Sequence, residues 1–264
     1  MAEGSARVAV VGALGRMGGM VRAALARESG LELGGALERD DHPQLGEEIE
    51  PGVPLVADPA AAFAGCAVVI DFSIPSSTLA HLRAAADTGV AYVTGTTGFD
   101  EAGKKEIATL ADRIPVVHAP NFSLAVNVLA WLVREAAAKL GAGFDAELFE
   151  LHHAAKRDAP SGTALRLAEA VAEGRGQALE DRLVLERAGE TGARPEGVIA
   201  VQTLRGGDNP GEHSVLFLGR GERVELSHRA ATRDHFAEGA VRAARWLVGK
   251  PPGLHRIETI FGLE

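Results

Sequence analysis

The sequence lacks several features that small proteins use for stability or for membrane anchoring. Its 264 residues include one cysteine, Cys66, which excludes an internal disulfide bond and a cysteine-based zinc site. Because Cys66 lies in the apolar run AGCAVVIDF, we expect it in a hydrophobic core. The sequence shows neither an apolar run that could span a membrane nor a basic leader before an apolar stretch. We therefore expect a cytoplasmic protein without membrane partners.

Positive charge and aromatic side chains are also scarce. The formal net charge of −9 argues against a broad basic surface, so we expect no nucleic-acid partner. A local basic pocket is compatible with this charge. Aromatic residues make up 5% of the chain and glycine occurs 32 times, which favours close packing of helices on a sheet over a β-sandwich.

The N-terminal half alternates short apolar runs with helical patterns. The predicted strands cover residues 7–11, 31–38, 53–56, 67–72, 90–94 and 114–118. The predicted helices between them cover 17–27, 75–87 and 101–111. Strands that alternate with helices of this length indicate βαβ units. We therefore predict an α/β fold with an N-terminal, Rossmann-like, doubly wound parallel sheet.

The pattern changes after residue 122. A long helix at 124–140 is followed by a strand at 146–153, a helix at 162–173, and strands at 183–187, 198–204, 213–218 and 223–228. Glycine-rich turns separate the later strands, which is typical of a second α+β domain with an open mixed or antiparallel sheet, mostly antiparallel. The last helical pattern, at 235–248, resembles those of the first half. We place one domain at 1–122 plus 234–264 and the second at 123–233.

A glycine-rich turn follows the first predicted strand and opens a helix. It reads Gly12, Ala13, Leu14, Gly15, Arg16, Met17 and Gly18. Glycines permit a tight turn, and a pyrophosphate can then sit at the N-terminus of the helix. The GxxGxxG spacing is less specific than GxGxxG, and a simple packing turn between strand and helix is the alternative.

The second predicted strand ends at Glu38, which Arg39 follows. A carboxylate at this position can accept hydrogen bonds from the ribose hydroxyls of NAD, whereas an arginine can pair with the 2′-phosphate of NADP. The two together predict that NADH or NADPH is used, and the nearby Asp40 and Asp41 favour NADH. A solvated strand end is the alternative.

Two polar turns follow the next parallel strands. The first is Gly95, Thr96, Thr97 and Gly98, and the second is Ala119, Pro120, Asn121 and Phe122. Ligands bind at the carboxyl ends of the strands in such sheets, and Asn121 could hydrogen-bond a carboxamide. Ser123 could instead cap the following helix, and either turn alone could be purely structural.

The segment HHAAKRDAPSGT, residues 152–163, concentrates acid–base and anion-binding groups. His152 and His153 point to opposite faces of a strand, so one of them is expected at a given reaction centre. Lys156 with Ser161, Gly162 and Thr163 would form a carboxylate cradle at a helix N-terminus, although Ser161 could be a plain N-cap.

The other basic and imidazole groups give weaker patterns. Arg233 is a further candidate for an anion contact or an ordinary surface arginine, and His213 and His228 are expected to be structural. We find no convincing set of metal ligands and expect no metal.

Together these motifs resemble the 4-hydroxy-tetrahydrodipicolinate reductase family, also called dihydrodipicolinate reductases, over nearly the whole chain. The resemblance is carried by VGALGRMG, ALER, DFS, GTTGFD, APNFS, LHHAAKRDAPSGTAL, GEHSVLF and AVRAARWLVGK. The pattern HHxxKxDAPSGT is its most specific part. The resemblance implies NAD(P)H-dependent reduction of a small cyclic dicarboxylate in lysine and diaminopimelate biosynthesis, by a homotetramer assembled through the second domain.

The resemblance also implies roles for individual residues. Gly12 to Met17 would hold the pyrophosphate, and Glu38 and Arg39 would meet the adenosine ribose. Gly95, Thr96, Thr97 and Ala119 to Phe122 would line the nicotinamide side, and Phe72 and Ser73 would flank the cofactor. His152 would be the catalytic proton donor, and Lys156 a second donor or a carboxylate partner. His153, Ser161, Gly162 and Thr163 would bind the substrate carboxylates.

Two departures from the family pattern affect these expectations. Ala154 and Ala155 stand where a further basic residue often occurs, which weakens the local positive field and puts substrate affinity in doubt. Ile74 replaces an arginine common after DFS, which removes a cofactor contact. Two other functions fit the fold: a dehydrogenase of amino acids or sugars, and a dinucleotide sensor without catalysis. The acid–base segment argues against both.

Overall fold

A computed structural model describes residues 5–263. Within them the strands are β1 Ala6–Val11, β2 Leu31–Leu37, β3 Glu48–Glu50, β4 Val53–Val56, β5 Val68–Asp71, β6 Ala91–Thr94, β7 Pro115–His118, β8 Asp145–His152, β9 Leu183–Val184, β10 Ile199–Arg205, β11 Glu212–Leu218, β12 Arg223–Arg229 and β13 Gly253–His255. The α-helices are α1 Arg16–Leu25, α2 Pro59–Phe63, α3 Pro75–Thr88, α4 Glu101–Ala111, α5 Leu124–Leu140, α6 Gly162–Arg175, α7 Asp234–Leu247 and α8 Ile257–Phe261.

The chain forms two compact units. The first contains the described residues up to Ser123 and those from Asp234 onward, and the second is Leu124–Arg233. The last helical segment therefore belongs to the same unit as the N-terminal sheet.

The first unit is built on a sheet of order β13-β7-β6-β5-β1-β2-β4-β3. Its strand pairs are parallel except β3 with β4, which is antiparallel. Alternate residues of β1 enter two different cores: Val8 and Val10 pack with α1, α7 and α8, whereas Ala9 and Val11 pack with α2, α3 and α4. The helices thus cover both faces, which confirms the predicted doubly wound α/β sheet.

The second unit contains a sheet of order β12-β11-β8-β10-β9. Strand β8 pairs antiparallel with β11 but parallel with β10, which is parallel to β9. The sheet is therefore mixed, which confirms the predicted mixed or antiparallel sheet of the second domain, with a parallel part formed by β8, β10 and β9. The physical reason is the crossover through α6, which returns the chain so that β9 and β10 run in the direction of β8.

Helices α5 and α6 cover one face of the second sheet. The core on this face includes Leu129 and Val133 of α5, Leu167 of α6 and Val215 of β11. The opposite face carries apolar side chains that stay accessible in the single chain: Phe149 is 40% exposed and Leu204 48%.

Short elements escaped prediction because few residues carry their pattern. Strands β3 and β13 have three residues each, and helices α2 and α8 have five. Helix α2 did have a local signal: the Asp58 carboxylate accepts hydrogen bonds from the Ala60 and Ala61 amides at 3.1 and 3.3 Å, and Pro59 follows it. Across the part of the chain that is described, no helix has both the length and the apolar character needed to cross a membrane.

Candidate active site

The glycine-rich turn between β1 and α1 has the backbone geometry of an anion-binding loop. Gly12 has a φ of +62°, which favours glycine, and its carbonyl accepts from the Gly15 amide at 2.8 Å. A Cβ at Gly18 would lie 1.9 Å from the Gly12 carbonyl oxygen, so this position requires glycine. The loop therefore packs tightly onto the start of α1, where unpaired helix amides favour a phosphate.

The two residues after β2 contact different partners. Glu38 accepts a hydrogen bond from the Leu14 amide at 3.0 Å, so its carboxylate ties the end of β2 to the glycine-rich loop. The Arg39 guanidinium pairs with the Asp41 carboxylate at 2.7 Å, and both side chains are 70% exposed. The sequence predicts that Glu38 binds a ribose. In the structure, one of its carboxylate oxygens also positions the glycine-rich loop.

Three of the residues expected at the cofactor, Phe72, Gly95 and Phe122, pack together. The rings of Phe72 and Phe122 meet edge to face, with centroids 5.7 Å apart. A Cβ at Gly95 would lie 2.1 Å from the Phe72 ring, so glycine is needed for the ring to sit there. The Thr96 hydroxyl is turned inward, 2.8 Å from the Thr78 hydroxyl. The Asn121 side chain accepts from the Ser123 amide at 2.8 Å.

A buried carboxylate lies below the Phe72 turn. Asp71 ends β5 and accepts hydrogen bonds from the Tyr92 hydroxyl at 2.5 Å, the Ser73 amide at 2.7 Å and the His81 ring at 3.0 Å. Burial raises the pKa of Asp71, but the hydrogen bonds from His81 and Tyr92 outweigh it and hold the pKa below its usual value. This network was not predicted.

In the second unit, His152 ends β8 and its Nδ1 contacts the carboxylate of Glu150. Residues two apart on a strand share a face, and here the shared face points inward. Glu150 is fully buried and His152 is 7% exposed. The other Glu150 oxygen accepts from the Ser161 amide at 3.1 Å, the Thr203 hydroxyl at 3.2 Å and the Arg205 guanidinium at 3.0 Å.

Burial and the neighbouring charges act in opposite directions on the pKa values of Glu150 and His152. Burial raises the pKa of Glu150, but the bond from Arg205 and the proximity of His152 lower it more, so the carboxylate is ionised. Burial also lowers the pKa of His152; Glu150 opposes this, whereas Lys156 and Arg205 add to it. At neutral pH the His152 imidazole is therefore uncharged in the free protein.

His213, expected to be structural, lies against His152. The two rings are 5.0 Å apart, and His213 Nε2 is 3.1 Å from the Ser161 hydroxyl, which also accepts from the Ala164 amide at the start of α6. Burial, with a smaller effect of His152, lowers the pKa of His213 to about 3. His213 is thus an uncharged side chain that lines the site.

The remaining predicted substrate residues surround this core. The Lys156 amine pairs with both oxygens of Asp158, at 2.9 and 2.8 Å. His153 leaves the strand on the other side, and its Nε2 accepts from the Arg233 guanidinium at 2.9 Å. The structure thus brings His153 and Arg233 into contact, and it links His152 to Ser161 through their shared partners Glu150 and His213.

Glu150, His152 and His213 are close enough to share a metal ion, with one potential ligand atom from each within 4.8 Å of the others. The hydrogen bonds to Glu150 already engage both of its oxygens, and the Arg205 cation lies beside it. This arrangement gives no reason to assign a metal, and the absence of a metal stays a prediction.

The fold and both sites can now be compared with known proteins. A model of the N-terminal part of dihydrodipicolinate reductase matches residues 6–122, and a model of the C-terminal part matches residues 125–261. The chain belongs to the dihydrodipicolinate reductase family. The predicted family and the oxidoreductase class, in lysine and diaminopimelate biosynthesis, are therefore confirmed.

Relatives of this family member match along their full length. A 4-hydroxy-tetrahydrodipicolinate reductase of Anaeromyxobacter dehalogenans is 49% identical, covering 98% of each chain. One of Thiobacillus denitrificans is 46% identical, covering 98% of this chain and all of the relative. A dipicolinate-bound dihydrodipicolinate reductase of Paenisporosarcina has a TM-score of 0.78 at 25% identity, covering 96% of this chain and 97% of that one.

Three residues of this candidate site were not predicted from the sequence: Glu150, Arg205 and His213. A signal for Glu150 was present, because a glutamate two residues before a histidine on a buried strand must share its inward face. Arg205 and His213 lie on other strands, 55 and 63 residues along, and only the order of strands in the sheet places them beside β8.

Proposed function

We propose that this chain reduces 4-hydroxy-tetrahydrodipicolinate to tetrahydrodipicolinate with a reduced nicotinamide dinucleotide. The observation that carries this assignment is a buried His152 whose Nδ1 is held by Glu150, next to the Ser161 cap of α6. A histidine oriented by a carboxylate is suited to proton transfer, and a helix N-terminus is suited to an anion. Family membership supplies the identity of the substrate.

The first unit would hold the dinucleotide. The tight glycine turn fits this group, because it leaves the N-terminus of α1 open to a pyrophosphate. The residues that would contact it are Gly12, Ala13, Leu14, Gly15, Arg16, Met17, Glu38, Arg39, Phe72, Gly95, Thr96, Thr97, Ala119, Pro120, Asn121 and Phe122. When bound, NAD(P)H supplies the hydride.

The second unit would hold the dicarboxylate. Lys156 and the amides of Gly162 and Thr163 would bind one carboxylate, aided by the positive end of the α6 dipole. The Ser161 amide already donates to Glu150, so Ser161 would contribute by capping this helix with its hydroxyl. His153 would contact the substrate as well, and its partner Arg233 adds positive charge. Binding through Lys156 requires the amine to exchange part of its contact with Asp158 for the substrate.

His152 would deliver the proton that accompanies hydride addition. Burial, with smaller contributions from the charges of Lys156 and Arg205, lowers the pKa of His152 in the free protein, and a dianionic substrate would offset these two charges. Proton uptake by His152 is therefore coupled to substrate binding, and its Nε2 would then donate to the ring atom that gains electron density.

We propose that either dinucleotide is used, with a preference for NADH. The ion pair with Asp41 engages the guanidinium of Arg39 and puts negative charge where a 2′-phosphate would bind. The exposed side chain of Ile74 offers no charge to the cofactor, and Ala154 and Ala155 offer none to the substrate.

We also propose a cytoplasmic homotetramer assembled through the second sheet. Phe149 and Leu204 lie on the face of this sheet opposite α5 and α6, and their exposure in the single chain favours burial by another copy.

The test is an assay at 340 nm, in which the preceding synthase generates the substrate from pyruvate and aspartate semialdehyde. We expect synthase-dependent oxidation of both dinucleotides, faster with NADH. His152→Ala should lower kcat by about 10²- to 10⁴-fold, while His255→Ala, in edge strand β13, should not. Near-normal turnover of His152→Ala with intact dinucleotide binding would refute the assignment. No oxidation by folded, dinucleotide-binding protein would favour a sensor.

A further inference from the structure

The proposed reaction uses Glu150 only as the partner of His152 Nδ1, although this buried carboxylate also accepts hydrogen bonds from Ser161, Thr203 and Arg205. We propose that Glu150 is a positioning residue, which holds His152 in the tautomer protonated at Nδ1 and so reserves Nε2 for proton exchange with the substrate. The inference rests on the proposed role of His152.

The hydrogen bonds of Glu150 fix which atom carries the proton. One oxygen accepts from the Ser161 amide, the Thr203 hydroxyl and the Arg205 guanidinium, at 3.1, 3.2 and 3.0 Å. The Ser161 amide and the guanidinium can only donate, so Glu150 is an acceptor. Because the Glu150 carboxyl is also ionised, its second oxygen can only accept, so His152 Nδ1 is the donor and Nε2 keeps the lone pair of the neutral ring.

Glu150 also connects the groups that would act on the substrate. Through Ser161 it is bonded to the N-terminus of α6. Through Arg205, whose guanidinium donates to the Asp158 carbonyl at 2.6 Å, it is linked to the residue that holds Lys156. A single carboxylate thus fixes the orientation of the proton carrier relative to both anion-binding elements.

A glycine packs beside His152 Nε2. Gly211 has a φ of +153°, and a Cβ there would lie 2.9 Å from Nε2. Its amide donates to the Asn209 side chain at 2.8 Å, which fixes the turn before β11. A side chain at this position would press on Nε2, so glycine avoids a steric conflict with the nitrogen that Glu150 leaves unprotonated.

The decisive variant is Glu150→Gln, which keeps the shape and removes the charge. If its carbonyl oxygen keeps the bonds from Ser161 and Arg205, its amide group faces His152 Nδ1 and can only donate to it. The imidazole must then move its proton to Nε2, the wrong nitrogen for accepting and delivering a proton. Four groups face the ring: Glu150, Lys156, Arg205 and neutral His213.

We expect Glu150→Gln to lower kcat by about 10²- to 10³-fold, with the Kd for NADH changed less than about twofold. In solid-state ¹⁵N spectra of histidine-labelled protein, assigned with His152→Ala, the wild type should show His152 protonated at Nδ1 at pH 8. The variant should show it protonated at Nε2. Without the carboxylate, the pH at which His152 titrates should also fall, because Glu150 raises its pKa. Glu169→Gln, a half-exposed glutamate of α6, is the matched control and should change none of these.

The outcomes separate this inference from the proposed function. If His152→Ala is inactive but Glu150→Gln keeps kcat within about twofold, the positioning role is wrong and the catalytic histidine stands. If His152→Ala stays active, the proposed function itself fails. A wild-type spectrum with the His152 proton on Nε2 overturns the inference even if Glu150→Gln does not fold.

Discussion

Each unit of the chain buries one carboxylate completely, and the two are used differently. Asp71 ends β5 in the first unit, and Glu150 lies two residues before the end of β8 in the second. Each contacts the Nδ1 of a histidine, His81 and His152 respectively. In both cases hydrogen bonds overcome the effect of burial, so each carboxyl pKa lies below its usual value.

The other partners explain the difference in use. Asp71 also accepts hydrogen bonds from the Tyr92 hydroxyl and the Ser73 amide, and these bonds fix the turn that carries Phe72. Glu150 accepts a hydrogen bond from the Arg205 guanidinium, and its partner His152 lies at the proposed reaction centre. A carboxylate–histidine pair is therefore not by itself a sign of catalysis, and its surroundings decide whether it shapes a backbone or orients a proton carrier.

The largest effect on stability is expected from breaking the Asp71 network. Asp71→Ala leaves the Tyr92 hydroxyl and the Ser73 amide buried without their acceptor, which should destabilise the first unit by about 3–5 kcal/mol. The two tryptophans separate the units, since Trp246 lies in α7 and Trp131 in α5. Urea unfolding followed by Trp246 fluorescence in a Trp131→Phe background measures the change.

Asp112→Ala is the control for this experiment, because Asp112 is an exposed aspartate at the end of α4. It should change the free energy of unfolding by less than about 0.5 kcal/mol. A loss below about 1 kcal/mol for Asp71→Ala would mean that water satisfies the abandoned donors, and that the two buried carboxylates are more alike than the hydrogen bonds indicate.

An intermediate effect is expected from acid, mainly in the second unit. The His213 pKa falls from its usual 6.5 to about 3 on folding, so below pH 6.5 the unfolded chain binds a proton that the folded chain does not. Stability from this group is complete above pH 6.5 and declines as the pH falls towards 3, by about 2 kcal/mol at pH 5. The lowered pKa of His152 adds to this loss of stability in the second unit. In the first unit, the histidine whose burial lowers its pKa is His118.

Unfolding between pH 8 and pH 5, followed by Trp131 in a Trp246→Phe background, tests this difference. His213→Gln, which can keep the contact with Ser161, should flatten the pH dependence of the second unit. Equal acid sensitivity of the two units, or an unchanged slope in His213→Gln, would show that His213 is protonated in the folded protein.

Local patterns predicted most of the fold. The helix at 101–111 and the long helix at 124–140 match α4 and α5, because apolar spacing and flanking polar residues mark both. The direction of β9 and β10 was not predictable, since it depends on where the chain re-enters the sheet after α6. The strand expected at 183–187 is reduced to Leu183–Val184, because only these residues pair with β10.

The site was predictable where its residues are neighbours in the sequence. The segment 152–163 places His152 and Ser161 together without any knowledge of the sheet. Arg205 and His213 become part of the site only because β10 and β11 flank β8. The surroundings of each imidazole were also not predictable from the sequence. Whether an imidazole is structural or reactive depends on its burial and on the charges around it, and these charges come from distant strands.

The smallest effect concerns Tyr92, whose titration reports directly on the Asp71 network. Tyr92 is the single tyrosine of the chain and is fully buried. Burial and the neighbouring Asp71 charge raise its pKa well above 10, so the folded chain keeps a phenol proton that the unfolded chain loses near pH 10. Stability from this group is therefore present below pH 10 and is lost as the pH rises further. Absorbance at 295 nm should show no phenolate until the first unit unfolds, and in Asp71→Asn it should appear at lower pH because the charge is gone. Phenolate absorbance near pH 10 in folded wild-type protein would show that water reaches Tyr92, and that the Asp71 network does not hold the phenol proton.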